Sequence, residues 1–146
     1  MKILFSISVL FSTRVLFAQQ NTQTNIDTNQ VIDFKKVNIA GATFRATRPG
    51  ISSGVYKTAI KNGVLYVVNK VNKVLPYIIL RYEFSYMNKD NKYKTIACVG
   101  NLLNDLVFNA AQQMQKFTTA DIDKVYAIKI NTSTENRITG IALLKE

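Results

Sequence analysis

The sequence predicts a mainly β protein, an antiparallel β-sandwich (Ig-like) with one or two short helices. Three observations predict it. First, Ile78, Leu80, Tyr82, Phe84 and Tyr86 alternate with Tyr77, Ile79, Arg81, Glu83 and Ser85. A period of two held this long means a strand with one face in the core. Second, Asn88-Lys89-Asp90-Asn91-Lys92 is wholly polar and joins that strand to an apolar-rich partner over residues 93–99, as a hairpin does. Third, residues 125–130 and 138–144 form another β pair around the polar loop 131–136. Hydrophobic residues make up 47% of the 146 and charged ones 19%, so the chain has the composition to fold. At this length one domain is expected.

From the start of the chain, Met1-Lys2 is a short basic opening to an apolar run over residues 3–18. Ala18 with Gln19 and Gln20 after it reads as a small-residue cleavage site, so residues 1–18 are expected to be a signal peptide. The run is shorter than the roughly 20 residues of a membrane span. Arg14 within it and Leu16 near its end depart from the commonest pattern. Export implies a periplasmic or secreted protein. Residues 19–30 are Gln, Asn, Thr and Asp with Ile26 as the one large apolar residue, a composition for a flexible polar tether. The domain then spans residues 31–146.

Within it, Val37-Asn38-Ile39-Ala40 and Thr43-Phe44-Arg45-Ala46 read as a strand pair bent at Gly41. Arg48-Pro49-Gly50 is a turn. Ser52 or Ser53 would cap a short helix carrying Val55, Tyr56, Ala59 and Ile60, closed by a left-handed cap at Asn62-Gly63. Residues 64–68 fit a strand or more helix. Asn109 would cap a second helix, with Gln112 in the reciprocal position and Ala110, Met114 and Phe117 as its apolar stripe. Thr118-Thr119-Ala120-Asp121 reads as helix-start or turn chemistry.

The residue inventory excludes much chemistry. The sequence contains no His, so a triad built on imidazole and an imidazole metal ligand are both absent. Cys98 is the single cysteine, which rules out an intramolecular disulfide and a thiolate-rich cluster. It reads as a small buried hydrophobe, or in an oxidising compartment a bridge to another chain. Asp121 and Asp123 lack the glycine and further acids of a calcium loop. Arg81 and Glu83 share a strand face and suit ion pairs across strands, with Lys94 among the partners in reach. Asn131-Thr132-Ser133 matches a glycosylation pattern that is common by chance. No cofactor or metal is implied.

Nineteen Lys and Arg against nine acids give a net charge of +10, which favours anionic partners. Lys57, Lys61, Lys70, Lys73, Lys89, Lys92 and Lys94 nevertheless fall singly, and Tyr56, Tyr66 and Tyr93 lie among them without an arginine cluster. That is solvated surface charge, not a nucleic-acid motif.

The order of elements from Phe44 to Leu144 resembles the C-terminal periplasmic domain of the gliding-motility protein GldM, a type IX secretion component. The residues that carry it are Phe44-Arg45-Ala46-Thr47-Arg48-Pro49, then Ile51-Ser52, Asn62-Gly63-Val64 and the aromatic strand Tyr82-Glu83-Phe84-Ser85-Tyr86. Gly100-Asn101, Gln112-Gln113, Lys124-Val125-Tyr126-Ala127-Ile128-Lys129-Ile130 and Ile138-Thr139-Gly140-Ile141-Ala142-Leu143 complete it. GldM itself has a transmembrane helix and a long multi-domain arm, whereas this chain reads as an export segment, a tether and one domain. That family also has Gly at the end of the helix before the penultimate strand, where Ile122-Asp123 stands here.

The resemblance implies the fold and a non-enzymatic binding role, accessory to type IX secretion or gliding. The partner would be an envelope or secretion-system protein, or a second copy of the chain, met through a sheet face or edge strand. Tyr77, Arg81, Tyr93 and Lys94 are the candidate partner-binding residues. Two other readings stand beside it: a binder of anionic envelope polymer or lipid, with peripheral membrane contact, and a small exported enzyme inhibitor.

Overall fold

A computed structural model of the chain describes residues 26–48 and 56–146. The expected signal peptide, most of the tether, the turn at Pro49-Gly50 and the cap at Ser52 or Ser53 lie outside the described residues. Among the described residues nine strands and one helix form, in the order β1 (Lys36–Ile39), β2 (Ala42–Arg48), β3 (Lys57–Lys61), β4 (Val64–Val68), β5 (Tyr77–Met87), β6 (Tyr93–Val99), α1 (Asp105–Gln113), β7 (Thr119–Lys129), β8 (Glu135–Ile138) and β9 (Ile141–Lys145). The protein is mainly β and its sheets are antiparallel, as the sequence predicts.

Seven strands make the main sheet, in the order β1-β2-β9-β7-β5-β6, with β8 on the same side of β7 as β9. Hairpin β3–β4, helix α1 and the segment before β1 supply the second layer. One continuous core lies between, with Phe44, Tyr82, Phe84, Ile122 and Leu143 from the sheet meeting Leu65, Val67, Val107 and Ala111. Burying each large side chain contributes about 1.5–3 kcal/mol, so this core carries most of the stability. Val68 and Ala59 fill its hairpin side.

The expected helix over Val55–Ile60 is corrected where it is described: Lys57–Lys61 is strand β3. Asn62-Gly63 is therefore a hairpin turn and not a helix cap. The register pairs Lys61 with Val64, leaving two turn residues at φ 52° and 76°. Both a left-handed cap and a type I′ turn need positive φ, so the dipeptide alone does not separate them. Ala40-Gly41 makes the same two-residue turn between β1 and β2.

The cap of the second expected helix lies five residues before the expected one. Asn104 is the N-cap, its Oδ1 accepting from the Val107 N–H at 3.0 Å, and Asn109 sits mid-helix. Val107, Ala110, Ala111 and Met114 form the buried stripe. Phe117 lies beyond it, exposed. The helix end is capped from across the chain, because Lys145 Nζ donates to the carbonyls of Ala111, Gln112 and Met114 at 2.8, 3.1 and 2.6 Å. A cation at this end also meets the negative pole of the helix. Lys145→Met should cost about 1–3 kcal/mol in urea melts, whereas Lys145→Arg should recover part of it.

β5 carries a phase change that its alternation conceals. Ile79 is buried, and so are Tyr82 and Phe84. The register with β7 runs Ile79↔Ala127, then Arg81↔Tyr126, then Glu83↔Asp123, so Leu80 bulges from β5 and an extra residue near Lys124 compensates in β7. Thr119 opens β7, so of the segment read as helix-start or turn chemistry Thr118 closes the turn after the helix and the rest is strand, with Asp121 and Asp123 pointing away from the core.

Tyr82 joins the sheet to the loop before the helix, its hydroxyl donating to the Leu102 carbonyl at 2.6 Å. Burial, reinforced by Cys98 beside it, pushes its pKa far above the ordinary value. Below about pH 10 the hydroxyl is protonated in both folded and unfolded chains, and its contribution is complete. Above that, only the unfolded chain ionises there, so stability should fall as pH rises. Tyr82→Phe should lose about 1 kcal/mol at neutral pH and show a shallower alkaline decline, read by urea melts across the range.

Residues 26–30, expected as the end of the tether, lie against the domain. Ile26 packs on the core and the Gln30 carbonyl accepts from Val74 N–H at 3.1 Å.

Candidate partner-binding face and edge

The main sheet has one buried face and one open face. Cross-strand rows cover the open face: Thr95–Ser85–Asp121, Ala97–Glu83–Asp123, and Val99–Arg81–Tyr126–Arg137. Each row follows from the period of two, which sends these side chains away from the core. Most of their charges are matched locally. Arg81 makes a two-pronged contact with Glu135 at 2.9 and 3.0 Å, and its guanidinium stacks 4.3 Å over the Tyr126 ring. The Arg81 contact holds the Glu135 carboxyl below the usual carboxylate range. Lys124 meets Glu83 at 3.4 Å, and Arg137 meets Asp123 at 3.5 Å. The expected reach from Arg81 or Glu83 to Lys94 is not made; Lys94 stands opposite Tyr86.

Ser85 and Thr95 share a hydroxyl hydrogen bond at 2.9 Å, and Tyr93 donates to Asp121 at 3.3 Å. Partial burial, then the Asp121 carboxylate, raise the Tyr93 hydroxyl pKa. A shallow depression of about 440 Å³ opens beside these residues, where β8 gives way to β9 at Gly140.

The four candidate residues do not converge. Arg81 and Tyr93 share the open face. Lys94 follows the alternation to the opposite side, beyond the end of the core. Tyr77 begins β5, while Tyr93 pairs with Met87 at its end, about 33 Å away by strand rise. Tyr77 is half-buried, its ring 5.5 Å from that of Tyr56. Cys98 is buried and burial raises its thiol pKa, which makes it the small hydrophobe its position suggested.

What the sequence does not reveal is that β6 is the end strand of the sheet. Among the described residues, no strand pairs with its outer side. The flanking pairs Asn88–Lys92 and Leu80–Gly100 are hydrogen-bonded, with the amides of Asn88 and Gly100 donating at 2.9 and 2.8 Å. Antiparallel ladders alternate bonded and non-bonded pairs, so Lys94, Ile96 and Cys98 bond β5. The N–H and C=O groups of Tyr93, Thr95, Ala97 and Val99 then point outward from the edge. The side chains of the same four residues lie on the open face, with Tyr93 59% and Val99 69% exposed. The edge is seven residues long and contains no proline, one of the devices that blunt an edge, and its one charged side chain, Lys94, lies on the opposite face. The far edge, β1, has four residues, with Lys35 and Lys36 at its start.

Among the described residues no three His, Cys, Asp or Glu side chains are grouped to hold a metal ion, and no helix is long and apolar enough to cross a membrane. No family model, curated protein or solved structure matches the chain.

Proposed function

We propose that this chain is an exported, non-enzymatic protein-binding module of the GldM C-terminal type, accessory to type IX secretion or gliding machinery. The observation that carries the binding role is the open β6 edge. An extended partner segment added there gains main-chain hydrogen bonds from Tyr93, Thr95, Ala97 and Val99. Specificity comes from the open face beside it. Tyr93 and Val99 offer apolar contacts at the two ends of the edge, and the small Ala97 leaves room between them. Arg81 stays fixed by Glu135 and Tyr126, so it presents a rigid border at the cost of little ordering entropy. A fitting partner strand is apolar opposite Tyr93 and Val99.

The test is a cross-linking pull-down from the native envelope with tagged protein, at low and moderate salt. Recovery of type IX ring or motor proteins at both salts is the expected result. Recovery of no protein, together with salt-sensitive binding to envelope polymer, would overturn it.

A further inference from the structure

Phe117 stands in the turn between α1 and β7, 78% exposed, at φ 66°. Both features work against stability. A bulky side chain rarely adopts the left-handed region, and an aromatic ring gains nothing by facing water. The turn is nevertheless held firmly. Phe117 N–H donates to the Lys145 carbonyl at 2.7 Å, Lys145 N–H donates to Thr118 at 3.0 Å, and Thr118 Oγ1 donates to the Gln115 carbonyl at 2.6 Å. Strain kept in place by surrounding structure is a mark of function.

The charges around it share one sign in excess. Tyr86 pairs with Ala120 across β5 and β7, which brings the β5–β6 turn to the same end of the sheet as Phe117. That end carries Lys89, Lys92, Lys94, Lys116 and Lys145 against Asp90, Asp121 and Glu146. Lys89 and Lys116 lie near enough to Lys145 to act on its charge. Lys145 is engaged by the helix end, whereas among the described residues no ion pair holds Lys89, Lys92 or Lys116. Residues 106–120 contain no acid.

We infer that this end of the sheet docks on an anionic lipid surface, with Phe117 entering the headgroup region and Lys89, Lys92 and Lys116 meeting the lipid charges. A projecting ring flanked by lysines is a wedge rather than a pocket. A fluid interface closes around such a wedge, whereas a folded protein would need a matching cavity. The site meets the β6 edge only at its start, where Lys92 precedes Tyr93, and its argument does not depend on a partner strand binding there.

The sequence has no tryptophan, so Phe117→Trp supplies a single reporter at the tip. With vesicles of phosphatidylcholine and phosphatidylglycerol its emission should move to the blue and be quenched by brominated acyl chains. Pure phosphatidylcholine should give neither, and added salt should reverse both. Ser133→Trp, exposed in the loop at the opposite end of β7, should show no shift. Phe117→Gly should lower the fraction bound to anionic vesicles by about fivefold or more while its melting temperature holds or rises, because glycine adopts positive φ freely. Solvent-like emission from the introduced tryptophan on anionic vesicles would overturn the inference. So would undiminished binding by Phe117→Gly, a fall in its melting temperature, or an equal blue shift with soluble polyglutamate.

Discussion

Gly140→Ala should cost about 3–5 kcal/mol, a large part of the margin of a domain of this size. A Cβ at this position would lie 1.9 Å from the Ile122 carbonyl oxygen, 2.9 Å from its carbon and 3.1 Å from Asp123 Cα. All three are backbone atoms, so no side chain can swing aside. Nor can the strand move cheaply. Ile122 is buried and pairs with Phe84 on one side and Ile141 on the other, at the point where β8 yields to β9. Gly41→Ala is the control, because Gly41 has φ 85° but nothing within 4 Å of its missing Cβ. That variant should lose only about 1 kcal/mol through backbone strain. Urea melts of the two should therefore separate crowding from conformation. A Gly140→Ala protein within 1 kcal/mol of the parent, on the scale of ordinary surface changes, would contradict this account of the strand junction.

Two prolines one residue apart in β6 should have opposite consequences. Ala97 N–H points outward, so Ala97→Pro leaves the ladder to β5 intact and should cost no more than about 1.5 kcal/mol. It removes a donor from the edge and places a ring where an added strand would lie, so partner recovery should fall at least about tenfold. Ile96→Pro instead breaks a bond to β5 and displaces a half-buried side chain, and should cost about 3 kcal/mol or more. Thermal melts with pull-downs on the same preparations read both effects. Equal destabilisation by the two would mean that the ladder phase is assigned wrongly.

The sequence and the structure agree where periodicity is local. The β5–β6 hairpin is legible from alternation and from the polar run at residues 88–92, and the β1–β2 pair from Gly41. Alternation failed inside β5 because a bulge at Leu80 shifts the buried set from Ile79 to Tyr82 and Phe84, and its compensating partner lies in β7, some 40 residues on. No local pattern records that. The helix is legible in the sequence but its start is not, because Asn104 and Asn109 each have the side chain of a cap. Val107 with Ala110, Ala111 and Met114 gives the better spacing, and it favours Asn104. Asn62-Gly63 satisfies two different geometries, and only pairing across β3 and β4 chooses between them. For the site, Arg81 and Tyr93 could be read as outward residues on a strand. Their setting could not, since Tyr126, Glu135 and the end position of β6 depend on strand order, which long-range pairing decides.

The binding role rests on β6 being an open edge with a defined phase. Residue-resolved amide hydrogen exchange tests it most directly, on the free protein and on the complex recovered from the envelope. In the free protein the amides of Lys94, Ile96 and Cys98 should be protected, while those of Tyr93, Thr95, Ala97 and Val99 exchange fast. Partner binding should slow the second set and leave the first unchanged. Protection of Thr95 and Ala97 in the free protein, or fast exchange of both in the complex, would contradict the account.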